Sequence, residues 1–395
     1  MADDYGGQEA PTRRDYMKYG GAVIGGGLLA GCTGDSGSDG DSGPTDAGTA
    51  TDADTGYSVT MEPMGTVEFE EPPETWLAFL STYGDMGIAL GKADGLRGLW
   101  NPETMPATFY DALPGVDVPF ADITPIAVNG EFDKEVFYEL DCDVHLTDPN
   151  WLRLLSDDWN EDDADEIATQ VGPFLGNYIR RRGDAWHDYR YYSLYEAFEI
   201  VADAFDERER YEAFATVHDE MQTTIEERLP PSEDRPTVGL VSVNSDFEAG
   251  SFSVYTVQNW NNHKQYQDLG MRGAFDDHIE GNGDWDYEQL LEVDPDAIVF
   301  QYGFSHVPTE EFESRKETMR TDPVGSQLAA VQNDRLYRGG SAYQGPVVNL
   351  FQTEAAARQF YPEAFGEWNG VETLREGSLT LFDRQRVADI INGDI

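Results

Sequence analysis

The sequence predicts an α/β protein of two lobes joined by one long helix. From Tyr57 onward, short apolar runs alternate with helical stretches, the pattern of parallel strands connected by crossover helices. A second set of apolar runs opens at Thr237, which gives a second sheet. Between the two sets lies one uninterrupted amphipathic stretch.

In the first lobe, residues 57–205, strands are expected at 75–80, 95–99 and 143–146, with helical segments at 85–91 and 133–140. The connecting helix is expected over 206–229. There Tyr211, Phe214, Ala215, His218, Met221, Ile225 and Leu229 recur at i, i+3, i+4 spacing, and Pro230-Pro231 marks the end. At 1.5 Å per residue it would be about 36 Å long, enough to cross one lobe and reach the next. His218 falls on its apolar stripe and reads as a core histidine. The second lobe, residues 235–395, has strands expected at 237–243, 297–300 and 335–337.

Composition narrows the setting. The 395 residues include 76 acidic and 26 basic side chains, a formal charge of −50 and a pI near 4.1. A phosphate backbone demands clustered Lys and Arg, so nucleic acid is excluded as a partner. At 39% hydrophobic and 12% aromatic content the chain still buries a core. Lys stands only at 18, 92, 134, 264 and 316. A uniformly acidic, lysine-poor surface suits a protein living in multimolar salt, where the Debye length falls below about 3 Å and self-repulsion is screened. Its melting temperature is then expected to rise with salt.

The first 32 residues read as an address. Thr12-Arg13-Arg14-Asp15-Tyr16-Met17-Lys18 is a twin-arginine export signal, a Gly-rich apolar run follows, and Leu29-Ala30-Gly31-Cys32 is a lipobox. The apolar run is far shorter than the ~20 residues that cross a bilayer. The expectation is export of a folded chain, then anchoring to the outer face of the membrane through lipid on Cys32. Residues 33–56 contain only Thr, Gly, Asp, Ser, Pro and Ala, a disordered tether averaging roughly 25–30 Å end to end. With Cys32 lipidated, Cys142 has no disulfide partner and reads as a small buried hydrophobe.

Several stretches, in order, resemble one known family. Residues 79–91 followed by Gly95-Leu96-Arg97-Gly98-Leu99 match its opening strand, helix and second strand. Residues 133–146 match a recurring helix-then-strand element, with Cys142 where the usual proline stands. Residues 287–300, through Val293-Asp294-Pro295-Asp296, repeat that element more closely, and 322–337 match the penultimate helix and strand. The chain from about Thr75 to Ile391 is thereby similar to the substrate-binding proteins of ABC importers for ferric siderophores, cobalamin and haem.

That resemblance implies two Rossmann-like lobes bridged by a single helix. It also implies a monomeric receptor that captures a small-molecule metal chelate and passes it to a permease dimer, with no cofactor of its own. Ferric siderophore is the first expectation, with cobalamin or haem the alternative. Glu135 and Glu288 occupy the positions at which the family engages permease arginines, one glutamate per lobe. A bidentate Arg–carboxylate contact on each side would fix orientation on a two-fold permease.

In open α/β sheets ligands sit beyond the carboxyl ends of the strands. The loops there carry Tyr83, Trp100, Asn101, Asp148, Trp151, Asn244, Phe247, Trp260, His263, Tyr302, Phe304 and Tyr343 as candidate ligand-binding residues. Such a lining suits a large, flat, partly apolar ligand, and about half of these aromatics are expected in the core instead. His263 and His306 are the candidates for direct metal contact, although neither stands in a spacing that dictates coordination. Arg180-Arg181-Arg182, the one basic run, reads first as local charge balance. Remote alternatives are a surface enzyme and a structural lipoprotein. Against them, the chain has no Gly-x-Ser-x-Gly elbow, no His-Glu-x-x-His, no phosphate loop and no repeats.

Overall fold

The computed structural model describes residues 56–127, 132–156, 159–182, 184–258, 261–374 and 380–395. The export segment, Cys32 and the tether up to residue 55 lie outside the described residues, as does Trp260.

The chain begins with a hairpin that the sequence reading does not anticipate. Strands β1 (Tyr57–Met61) and β2 (Gly65–Phe69) pair antiparallel. They alternate so that Val59, Met61, Val67 and Phe69 face inward. Tyr57 stacks on Phe69 at 5.5 Å and its hydroxyl donates to the Ala204 carbonyl at 2.5 Å.

The first sheet has four parallel strands in the order β5-β4-β3-β6: β3 (Trp76–Ala78), β4 (Leu96–Leu99), β5 (Thr124–Pro125) and β6 (Val144–Leu146). Each of the three expected strands is present. The two-residue β5 is too short to leave a periodic signal. Trp76, Leu77 and Ala78 are all fully buried, as strands covered on both faces must be. Helix α1 (Ser81–Ala89) begins four residues before the expected segment. All nine of its residues are buried, so it has no polar face to set a helical period. Gly87 lets it approach the sheet: a Cβ there would stand 2.4 Å from the Trp76 ring.

Helices α2 (Glu135–Leu140) and α3 (Pro149–Leu152) flank β6. Helix α4 (Leu194–Ala204), opened by a Ser193–Glu196 capping box, leads into the connecting helix α5 (Arg208–Arg228). Its buried stripe is Phe214, Val217, Met221 and Ile225. The helix is rotated slightly from the expected face, so Val217 is buried while Ala215 and His218 are half-buried. His218 lies 4.2 Å from the Tyr195 ring.

The second sheet departs from the parallel expectation at one edge. Strands β7 (Thr237–Ser242), β11 (Ala297–Gln301) and β12 (Leu336–Arg338) are parallel, at the three predicted places. The strands β8 (Phe252–Tyr255) and β10 (Asn282–Trp285) add antiparallel in the order β10-β8-β7-β11-β12, and β9 (Arg272–Gly273) pairs with β7. Ser, Asn, Gly and Asp interrupt the apolar pattern of these edge strands, as a one-sided antiparallel edge permits.

The two lobes share a clamp. Helix α2 ends on Asp141 at φ +45° and α6 (Tyr287–Val293) on Asp294 at φ +48°, each two residues before another aspartate. Asp143 Oδ2 accepts from the Glu74 and Thr75 amides at 2.9 and 2.8 Å and from the Thr75 hydroxyl at 2.9 Å. Asp296 Oδ2 accepts from the Thr237 amide and hydroxyl, both at 2.8 Å. Each carboxylate thus ties the start of β6 or β11 to the strand beside it.

The short helix α7 (Gly303–His306) follows β11. The last segment serves both lobes: α8 (Pro346–Phe360) packs against α1 and against residues 264–268, and α9 (Arg384–Asn392) packs against α5 and α1.

Candidate functional site

The carboxyl ends of the parallel strands converge at the seam between the lobes, the position where this topology opens a crevice. Trp100 follows β4 and Trp151 lies on α3, just past β6; Tyr302 follows β11 and Tyr343 sits in the loop after β12. Their rings form one chain. Trp100 is 6.2 Å from Trp151 and 6.1 Å from Tyr343, and Tyr343 is 6.2 Å from Tyr302. Tyr302 takes φ +66°, a left-handed conformation that a bulky residue adopts only when its surroundings hold it there. Its amide bonds the Gly340 carbonyl at 2.8 Å.

At the centre stands Arg180. Its Nη2 donates to the Tyr302 hydroxyl at 2.9 Å, its Nη1 to the Tyr178 hydroxyl at 3.4 Å, and its guanidinium lies 4.4 Å from the Tyr343 ring centroid. Tyr178 stacks on Trp151 at 4.7 Å. Among the described residues no carboxylate pairs with Arg180, and its Nε is buried with no hydrogen-bond partner. Burial pushes the Tyr178 and Tyr343 phenols up, so both are neutral at physiological pH. A guanidinium stays charged throughout. Among the described residues the site therefore presents one cation with no carboxylate partner, ringed by aromatic faces and hydroxyls and contacted from both lobes, within a chain of charge −50.

Four of the residues singled out by sequence, Trp100, Trp151, Tyr302 and Tyr343, come together here. Others are occupied elsewhere. Tyr83 is buried and its hydroxyl donates to the Asn177 carbonyl at 2.9 Å. Phe247 packs in the second-lobe core against Phe252 and Phe300 at 5.4 and 5.2 Å. Phe304 lies against Phe109 and Trp368. Asn101 is a turn residue at φ +52° whose carbonyl accepts from Thr104, and Asn244 is exposed just past β7.

Asp148 caps α3. It accepts from the amide and side chain of Asn150, each at 3.0 Å, from the Tyr178 amide at 3.2 Å and from the Tyr189 hydroxyl. Burial pushes its carboxyl up to about 6, against the pull of those hydrogen bonds. His263 is buried between Tyr255 and Tyr266, and burial together with the Arg180 charge lowers it to about 3, so it stays neutral. His306 is exposed, its ring 4.9 Å from Tyr302. Among the described residues no group of three or more His, Cys, Asp and Glu converges as a metal site, and no helix is long and apolar enough to cross a membrane.

Sequence reasoning underweighted Arg180 and did not single out Tyr178. Arg181 does balance local charge, through a two-point contact with Asp184 at 3.1 and 3.0 Å, and Arg182 lies over the Tyr191 ring. Among the described residues, Arg181 has a carboxylate partner, while Arg180 and Arg182 meet aromatic side chains. Glu135 and Glu288 are both exposed, each in the first turn of the helix that precedes an Asp-clamped strand.

A sequence profile described as periplasmic binding protein matches residues 154–343. No curated protein matches the chain. Solved structures do. One is Helicobacter pylori CeuE with nickel(II) bound, at 13% identity and TM-score 0.56, covering 84% of this chain and 98% of that one. Another is an ABC-type Fe3+-hydroxamate transport protein from Saccharomonospora viridis, at 18% identity and TM-score 0.53, covering 77% and 99%. A third is the iron-uptake ABC transporter substrate-binding protein PiuA from Streptococcus pneumoniae, at 14% and 0.53, covering 76% and 97%. At such identities the likeness is one of fold.

Proposed function

We propose that this chain, whose residues 154–343 match a profile described as periplasmic binding protein, is an extracytoplasmic receptor that captures an anionic ferric chelate between its lobes and delivers it to an ABC importer. The observation that carries this reading is Arg180, a cation at the lobe seam with no carboxylate partner among the described residues and with tryptophan and tyrosine rings around it. A half-buried guanidinium left without an anion is costly, and a ligand carboxylate or catecholate oxygen would supply one through charge-assisted hydrogen bonds. The aromatic faces would pack the flat organic part of the chelate. Iron is cargo here, held by the chelator, and no bond of the ligand is broken by this chain.

The rest of the reading follows the same logic. Twin-arginine export and lipid on Cys32 would hold the domain at the outer membrane face, on the tether of residues 33–56. Glu135 and Glu288, on equivalent helices of the two lobes, would each meet a permease arginine. Helix α5, a single stiff strut, would limit closure to a small hinge motion. Support from the comparisons is confined to what those relatives are said to carry: two are named for iron or Fe3+-hydroxamate transport.

The test is a fluorescence titration of the mature domain in about 3 M KCl with a ferric catecholate, a ferric hydroxamate, haem and cobalamin. Saturable one-to-one quenching by an anionic ferric chelate, weakened in Arg180→Gln, supports the reading. Preference for cobalamin, a corrinoid with no ferric ion and one internal phosphodiester, would overturn the ligand class. Haem, with two carboxylates, is the comparator that separates anionic character from iron chelation.

A further inference from the structure

Helix α8 starts where the last loop of the second sheet ends, three residues beyond Tyr343. Its first turn is held by a side chain from the other lobe. Asp85, on α1 and fully buried, accepts the Val348 amide on Oδ2 at 2.9 Å and the Tyr110 hydroxyl on Oδ1. The backbone at Gly345 and Val347 is turned toward the same carboxyl. The approach is close: a Cβ on Gly345 would stand 2.6 Å from the Asp85 Cβ and Oδ2 and 2.6 Å from the Thr82 carbonyl. Gly345 has an ordinary φ of −101°, so it is the neighbouring carboxyl, not the backbone angle, that demands glycine there. An acid at the start of a 15-residue helix also meets the positive end of its dipole.

We infer that Asp85 is a positioning residue for the cleft: by tying the first turn of α8 to α1 across the lobe seam, it fixes residues 341–345, which lay Tyr343 over Arg180. Its functional half rests on reading the Arg180 cleft as the ligand site; its structural half does not.

The surroundings of Asp85 make this tie sensitive to protons. The titratable groups facing it are phenols: Tyr110 from the helix Ala107–Tyr110, and Tyr195 from α4, whose phenol senses the Asp85 charge. Tyr83, on its own helix, is turned to Asn177. On α8 the Glu354 carboxyl is committed to Arg358 and, on α9, Arg384, at 3.0 and 2.9 Å. Among the described residues no cation pairs with Asp85. Burial pushes its carboxyl up to about 7, while the hydrogen bonds from Tyr110 and the α8 backbone pull the other way. In an open seam, where water reaches it, the group would titrate near its ordinary value of 3.8. The closed seam therefore binds the proton more tightly. Closure is favoured in acid, lost progressively as pH rises from about 4 to about 7, and constant above that.

The experiment is amide hydrogen exchange of the full chain between pH 4.5 and 8.5, corrected for intrinsic rates, on wild type, Asp85→Asn and Asp85→Ala. In wild type, protection over residues 341–350 should fall by up to tenfold per pH unit toward pH 7 and then level, while strand β11 stays unchanged. Asp85→Asn, which keeps an acceptor for Val348, should retain the protection and abolish the slope. Asp85→Ala should lose at least tenfold protection at every pH, and at pH 4.5 its affinity for ferric citrate should fall at least fivefold while Asp85→Asn binds no more weakly than wild type. The same pH slope in Asp85→Asn as in wild type, or no slope in wild type, overturns the inference. If wild type fails to bind ferric citrate, the ligand reading fails, and the exchange profiles still decide the tie.

Discussion

Arg180 shows how a single side chain sets the chemistry of this molecule. Its two neighbours in sequence are engaged locally, whereas among the described residues the Arg180 side chain meets phenols and a ring face. Charge-assisted hydrogen bonds contribute about 1.5–3 kcal/mol each, so Arg180→Gln should weaken an anionic ferric chelate roughly 10- to 100-fold. Arg180→Lys should not restore it, because an ammonium cannot donate to Tyr178, Tyr302 and a ligand in one plane. Titration of the two variants checks both.

Asp148 makes a different prediction. Its buried carboxyl, raised to about 6, binds its proton more tightly folded than unfolded, so its contribution to stability is present at low pH and lost as pH rises through that value. Asp148→Asn should flatten this part of the stability profile between about pH 4 and pH 6, read as denaturation midpoints. Sequence placed Asp148 correctly past the end of a strand, but nothing in it distinguishes a cap from a ligand contact. That depends on Asn150, Tyr178 and Tyr189 closing around it. Arg180 was obscured in the opposite way, by two arginines that do balance charge.

At the scale of elements, parallel strands were legible because burial on both faces leaves unbroken apolar runs, as at residues 76–78 and 297–301. Helix α1 was misplaced for the converse reason: it is buried all round. The edge strands β8 and β10 are partly solvated and interrupted by small polar residues, and they escaped notice. Cleft aromatics and core aromatics look alike in sequence, since Trp100 and Phe247 both follow a strand; the direction of the turn after the strand separates them. Helix α8 carries a prediction of its own. Glu354, with no exposed side-chain surface, holds Arg358 and Arg384. Glu354→Ala removes a buried carboxylate shared by two guanidiniums and should cost about 3–5 kcal/mol in chemical denaturation. Glu288→Ala, on an exposed helix face, should change stability by less than about 0.5 kcal/mol.

For the whole molecule, two long-range properties follow. A charge of −50 repels itself, so the melting temperature should climb steeply between 0.1 and 3 M KCl. A midpoint independent of salt would contradict that reading of the surface. Glu135 and Glu288 lie on equivalent helices of the two lobes. Reversing both to Lys should leave chelate binding intact and abolish uptake in cells, and uptake at wild-type rates would remove them from the docking role. The two-lobe plan was visible in sequence because each lobe repeats one helix, one left-handed Asp and one strand. What joins the lobes at the cleft was not visible, because it is made by residues as far apart as Trp100, Arg180, Tyr302 and Tyr343.

The most direct test compares two ferric chelates of similar size, one trianionic and one uncharged, by their dissociation constants for wild type and for Arg180→Gln. Anion capture at the lobe seam predicts that wild type favours the trianionic chelate at least tenfold and that Arg180→Gln erases the preference. Equal affinities in wild type, or a preference that survives the substitution, would contradict it.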